Sequence, residues 1–259
     1  MAKLGIFSWF SFQMPIADRL RKIRQAGFDA TSLWWEGVEK DKAPDFARKQ
    51  GLEVAYAHAP FDNADSLWMD DLAGEEYLNS LLSCVGGCKT HEIPTAVIHI
   101  TGFSDPPPVS ETGLNRVKRL VDLAEREEVN LAFENLNYLQ HLDTIFEGID
   151  SKRLGFCYDS GHENYRHPNA DCLARYGQRL FAVHLDDNNG DKDSHLLPYD
   201  GTIDWQKVMR GIEASRKVDC LTLEVDFDEN HEKGVGYKRL SADEFLALAY
   251  TRANRLLSE

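Results

Sequence analysis

Leu180-Phe181-Ala182-Val183-His184-Leu185-Asp186-Asp187 (LFAVHLDD, 180–187) is an apolar run that closes on ionisable side chains. On an extended chain, residues two apart share a face. Phe181, Val183 and Leu185 are therefore expected on one side, with Ala182, His184 and Asp186 on the other. The bulky set can pack under helices. The second set begins small and ends in a side chain that binds metals or moves protons.

The same pattern recurs along the chain. At 154–160, Phe156 and Tyr158 oppose Gly155, Cys157 and Asp159; at 130–136, Leu131 and Phe133 oppose Ala132 and Glu134. At 220–226, Leu221, Leu223 and Val225 oppose Thr222, Glu224 and Asp226; at 95–101, Ile98 and Ile100 oppose Val97, His99 and Thr101. The segment 54–61 fits less cleanly, because Val54, Tyr56 and His58 would face inward and leave only Ala55 and Ala57 outside. Segments 3–10 and 30–35 complete a set of eight strand candidates.

Helix candidates lie between them near 15–26, 41–50, 71–90, 110–128, 143–149, 170–177 and 204–215, with a last one at 242–257. Ser110 opens a helix after Pro106-Pro107-Pro108, a run that cannot be helix interior. Ser241 before Ala242-Asp243-Glu244 is an N-cap followed by first-turn acids. Strict strand–helix alternation predicts an α/β fold, a single (β/α)8 barrel spanning 1–259 as one domain. Carboxylates and imidazoles are costly inside such a barrel. At its C-terminal mouth a metal and water can satisfy them, and barrel enzymes keep their chemistry there.

Glu134, Asp159, His184 and Glu224 thus form an oxygen and nitrogen ligand set suited to a divalent cation, Mn, Mg, Co or Zn. Taken singly, each could be a strand-end residue paired with Lys or Arg. Four with one inward parity at consecutive strand ends point to convergence. His162 follows in Asp-Ser-Gly-His, where Gly161 would allow a turn bringing the ring over the mouth. Asp193 and His195 sit two apart after the seventh strand, and His58 and His99 end the third and fourth. These five would hold substrate or additional metal. His91, His141, His167 and His231 have no such placement and are expected at the surface. Trp9, Trp34, Trp35, Phe61 and Phe103 fall near strand ends and could wall a pocket. Dinucleotide, P-loop and nucleophile-elbow motifs are absent.

Composition narrows the function classes. The chain has 259 residues, 42% hydrophobic and 28% charged, ordinary values for a globular protein. Five scattered cysteines do not make a disulfide framework and read as buried thiols. No run approaches the length of a membrane span, and MAKLGIFSWF runs straight into a strand-like segment without a signal-peptide core, so a cytoplasmic protein is expected. A net charge of −14 disfavours nucleic acid and favours a small neutral or modestly charged partner. A homo-oligomer is left open.

Ala132-Phe-Glu-Asn135, Tyr158-Asp-Ser-Gly-His162, His184-Leu-Asp-Asp-Asn188, the stretch 193–205 (DSHLLPYDGTIDW) and Leu223-Glu-Val225 together resemble the xylose-isomerase-like barrel superfamily. That superfamily contains sugar-phosphate isomerases and epimerases, ketose 3-epimerases, inosose dehydratases and endonuclease IV. The resemblance implies one divalent metal on Glu134, Asp159, His184 and Glu224, with His162 and the ends of the first and third strands lining a sugar pocket. It implies an isomerase or epimerase acting through an enediolate, with Glu134 and Glu224 as the acid–base pair. Endonuclease IV is similar in its nine ligands to three zinc ions, and His58, His99, Glu134, Asp159, His162, His184, Asp193, His195 and Glu224 offer a candidate for each. An abasic-site phosphodiesterase, an inosose-dehydratase-like lyase and a sugar-binding barrel without turnover are thus alternatives. The chain departs from the repair-enzyme pattern in Asn135-Leu-Asn-Tyr138 and in lacking basic loops. It departs from the isomerase pattern at Tyr199, where many members carry glycine.

Overall fold

The computed structural model describes residues 2–102, 105–227, 237 and 240–259. Eight parallel strands close into a barrel in chain order. They are β1 (Lys3–Phe7), β2 (Ala30–Trp34), β3 (Glu53–His58), β4 (Thr95–Ile98), β5 (Asn130–Glu134), β6 (Leu154–Asp159), β7 (Leu180–Leu185) and β8 (Cys220–Leu223). Helices α1 (Ile16–Ala26), α2 (Ala43–Lys49), α3 (Leu72–Thr90), α4 (Glu111–Glu127), α5 (Leu139–Gly148), α6 (Ser160–Arg166), α7 (Cys172–Tyr176), α8 (Trp205–Ala214) and α9 (Ala242–Leu256) lie between and after them. No helix among the described residues is long and apolar enough to cross a membrane.

The two faces of the strands build two cores. Leu131, Phe133, Phe156, Tyr158, Val183 and Leu185 join the large cluster under the helices, while Tyr56, Val97, Ala132, Cys157 and Ala182 fill the barrel axis. Inward parity holds at β4, β5 and β6. It shifts within β3 and β7, each of which carries one residue too many. Thr31 pairs with Val54 but Ser32 with Tyr56, and Phe156 pairs with Leu180 but Cys157 with Ala182. Ala55 and Phe181 are the extra residues of these bulges, and both pack on the axial cluster. Strict alternation had placed both outside and Val54 inside; Val54 instead joins the outer core. Gly155 makes room for the inward Phe181, since a Cβ there would lie 1.9 Å from its ring.

Helix starts follow their caps. Ser110 accepts from the Gly113 amide at 3.0 Å and starts α4, and Ser241 forms a full capping box with Glu244 at α9. The predicted helix at 143–149 begins earlier, at Leu139, because Tyr138 precedes it without a side-chain cap. The turn expected at Gly161 is instead the start of helix α6. Asp159 caps it by accepting from the His162 amide at 2.6 Å, and Gly161 lies inside its first turn. Gly161 serves close approach, since a Cβ would meet the Asp186 carboxylate at 2.4 Å. Cys84, Cys88, Cys157 and Cys172 are buried thiols and Cys220 is half-buried.

Candidate metal centre and active site

The strands deliver their last side chains to one point. His58, Glu134 and Asp159 end their strands, His184 is next to last in β7, and His99 and Glu224 lie one residue beyond the ladders of β4 and β8. One ligand atom from each of Glu134, Asp159, His184 and Glu224 falls within 4.8 Å of the others. His184 Nδ1 is 2.6 Å from Glu224 Oε2, 3.4 Å from Glu134 Oε2 and 3.8 Å from Asp159 Oδ2.

Neighbouring polar groups fix these ends. Asn135 clamps β5 to β6, accepting from the Asp159 amide at 2.7 Å and donating to the Asp159 carbonyl at 2.8 Å. Beneath His184, the Tyr56 hydroxyl donates to the Val183 carbonyl at 3.2 Å. The Glu224 amide donates to the Leu185 carbonyl at 3.2 Å, carrying the β7–β8 pairing one residue past the strand.

A second group adjoins the first through Glu134. His58 Nε2 and His99 Nε2 lie 3.5 and 3.1 Å from Glu134 Oε2. His162 Nδ1 is 3.0 Å from Glu134 Oε1, and its Nε2 is 3.3 Å from Asp193 Oδ2. His195 Nε2 completes this arm at 3.2 Å from the same Asp193 oxygen. All nine predicted site residues therefore meet at the mouth.

Sequence reasoning assigned no role to Asp186, although it shares the inward parity of His184. It is fully buried, accepts from the Gly161 amide at 3.1 Å, and forms a potential ligand group with Asp193 and His195. Cys157, on the floor below, was also passed over; burial pushes its thiol up to about 12 and keeps it protonated. His141 is a correction. It is buried on α5, bonded through Nε2 to the Pro107 carbonyl at 3.0 Å and set against Trp68. His91 and His167 are half-buried, whereas His231 and Phe103 lie outside the described residues.

Burial by itself would raise the Glu134 carboxyl, but His184, His99 and His162 outweigh it and hold the group well below the usual range. Glu224, half-buried at the cavity wall, is brought down to about 2 chiefly by His184. Burial lifts Asp159 to about 7, and the neighbouring carboxylates add to this. His162 and His184 are buried, which disfavours their charge, yet both are raised well above an ordinary imidazole, His162 chiefly by Asp159 with Asp193 and Glu134, and His184 by its Cys157, Glu224 and Glu134 neighbours.

The donor set fits a divalent cation. Asp159 Oδ2 and His184 Nδ1 are buried without an aligned hydrogen-bond partner, a costly state that coordination would relieve. Carboxylate oxygens with one imidazole suit Mn, Mg, Co or Zn. Glu134 and Glu224 line a cavity of about 610 Å3, walled on the far side by Phe7, Trp9, Trp34 and Phe61. Trp34 stacks on His58 with centroids 5.0 Å apart, and Phe61 stacks on His99 at 4.6 Å. Of the aromatics expected at a pocket wall, Trp35 instead packs inward against Gly87.

The profile of the xylose isomerase-like TIM barrel family matches residues 20–242. The chain belongs to this family. Among its relatives, an uncharacterized protein of Sinorhizobium fredii is 38% identical over 113 residues, covering 43% of this chain and 36% of that protein. The chain thus matches only about a third of that relative's length. A solved D-tagatose 3-epimerase-like protein is similar in fold, with a TM-score of 0.70 at 21% identity over 98% of this chain and 99% of the other. The IolI protein, solved with a zinc atom, gives a TM-score of 0.77 at 17% identity over 99% and 98% of the two chains. At these identities the likeness concerns the xylose isomerase-like barrel itself.

Proposed function

We propose that the protein is a divalent-metal-dependent isomerase or epimerase of a sugar or related polyhydroxy carbonyl compound. One observation carries this reading: two carboxylates, Glu134 and Glu224, flank His184 at the mouth and are both held ionised. Glu134, Asp159, His184 and Glu224 would hold the cation, which when bound supplies Lewis-acid polarisation of the substrate's carbonyl. One of the two glutamates takes the proton from the carbon beside the carbonyl, leaving an enediolate. The other, having taken up a proton from solvent, delivers it from its own side, and the first gives the proton it removed to solvent. Whether the proton returns to the same carbon or its neighbour decides epimerisation or isomerisation. His162, tied to Glu134 and Asp193, orients a substrate oxygen. The epimerase-like fold neighbour and the zinc-holding IolI barrel support this class of chemistry.

The test is solvent-deuterium incorporation into a panel of ketoses by the metal-loaded protein. Exchange at one carbon is expected, and Glu224→Gln should reduce it by roughly 10³-fold or more while sparing the fold. Full activity in that variant would remove Glu224 from the acid–base pair.

A second reading rests on a different observation. His58, His99 and Glu134 form a ligand group of their own, and His162, Asp193 and His195 form a chain beside it. Three ligand groups sharing a mouth suit a three-cation phosphodiesterase of the abasic-site endonuclease type. Metal stoichiometry separates the two: one ion per chain favours the isomerase, and three zinc ions with cleavage of abasic DNA favour the endonuclease. The net charge of −14 weighs against a DNA substrate.

A further inference from the structure

We infer that the substrate carries a planar apolar group attached to its polyhydroxy carbonyl part, and that this group lies against Trp9 at the outer end of the cavity; this rests on the sugar reading above. The cavity has two chemically different ends. Glu134, His162, His195 and Glu224 line the inner one, and Trp9, Ile16, Trp34, Val38 and Ala43 line the outer. At about 610 Å3 it has the size of sites that take drug-sized ligands, well beyond a monosaccharide.

The outer wall has the marks of an unfilled contact. Val38 is 96% exposed at the lip and Trp9 is 36% exposed, so large apolar side chains face solvent beside a ligand group. Trp9 also has a cation over its ring. The Arg19 guanidinium lies 4.7 Å from its ring centre, and Nη2 of Arg19 donates to the Met14 carbonyl at 3.1 Å. Arg19 is only 9% exposed and, among the described residues, has no carboxylate within ion-pair distance, although the charge of Glu39 acts on it; Trp9 is the ring its guanidinium lies over. A ring covered on one face by a buried cation offers its other surface as a flat platform.

An anionic substituent fits this end less well. Glu36 and Glu39 line it beside Arg19 and Lys40, and Lys40 is paired with Asp41. The wall therefore gives no net positive field, and an uncharged aryl or similarly flat group borne away from the carbonyl matches it.

The experiment titrates metal-loaded protein with three probes, a free ketose, the same ketose carrying an aryl ether on its terminal hydroxyl so that the carbonyl stays free, and its terminal phosphate ester, read by intrinsic tryptophan fluorescence and calorimetry. The aryl conjugate is expected to bind roughly tenfold or more tightly than the free sugar and to perturb tryptophan emission. Trp9→Ala should erase that ratio, and Val38→Asp should shrink it. Equal affinity for free and aryl sugar, or preference for the phosphate ester, overturns the inference. A ratio that survives Trp9→Ala overturns the assignment of the site. Deuterium exchange into the free ketose is scored separately, so loss of the apolar preference leaves the isomerase reading standing. Failure of exchange with the preference intact does the reverse.

Discussion

Glu134 receives four imidazole nitrogens, from His58, His99, His162 and His184, between 3.0 and 3.5 Å. Without a cation, the charges of Glu134 and Glu224 face His162 and His184, both raised well above an ordinary imidazole. Coordination needs a neutral His184, so metal binding and protons compete. At pH 7, loading the metal-free protein should release protons, seen as a dependence of calorimetric heat on the buffer's ionisation enthalpy. No such dependence would mean that His184 is already neutral. The sign for stability follows from the same shifts. The histidines, raised in the folded state, stabilise the metal-free protein fully below their unfolded value and lose this as pH rises through their folded values. Glu224, depressed to about 2, stabilises above its unfolded value and loses this as pH falls toward about 2. The metal-free protein should therefore lose melting temperature on the alkaline side more than the metal-loaded one does.

At the scale of elements, the loop after β7 is built around Asp187. Its Oδ1 accepts from the amides of Asn188 at 2.9 Å and Ile203 at 3.1 Å, and its Oδ2 from the Tyr199 amide and the Trp205 indole, both at 3.0 Å. This carboxylate holds the segment that bears Asp193 and His195. Asp187→Asn should cost roughly 1–3 kcal/mol for each donor left facing the new amide group, measured by chemical denaturation, and should weaken metal retention. Tyr199 in the same loop has φ +73°, in the left-handed region that favours glycine. A glycine would adopt that backbone without strain. Tyr199 is kept in place by Arg255, stacked 3.7 Å from the ring centre, and by its hydroxyl donating to Glu259 at 3.1 Å.

Such features explain what the chain discloses and what it hides. The ligand quartet is legible because Glu134, Asp159, His184 and Glu224 each end an alternating run, and parity there is read directly from residue types. Ala55 and Phe181 are not legible as bulges, because an extra Ala or Phe suits either face. The start of α5 is hidden because Tyr138 makes no cap. His141 looks like a surface residue until α5 packs it under the Pro107 carbonyl.

For the whole molecule, the mouth should act as a metal-dependent fastener joining the four strands β5, β6, β7 and β8. A cation at about 100 times its dissociation constant adds roughly 2.7 kcal/mol by mass action. Chelation should therefore lower the melting temperature by several degrees, and metal should restore it. An unchanged melting temperature with metal demonstrably removed would count against a strand-end site.

The bulges in β3 and β7 have a consequence for how the barrel responds to losing a residue. Removing Ala55 or Phe181 would leave each ladder paired residue for residue, with Val54 or Leu180 still outside and His58 or His184 still directed to the axis. Removing Ala57 or Val183 instead would turn the upper strand over and point its histidine at the helices. The barrel thus has two places where a shortened gene could still encode an intact mouth, set among positions where the same deletion would dismantle it.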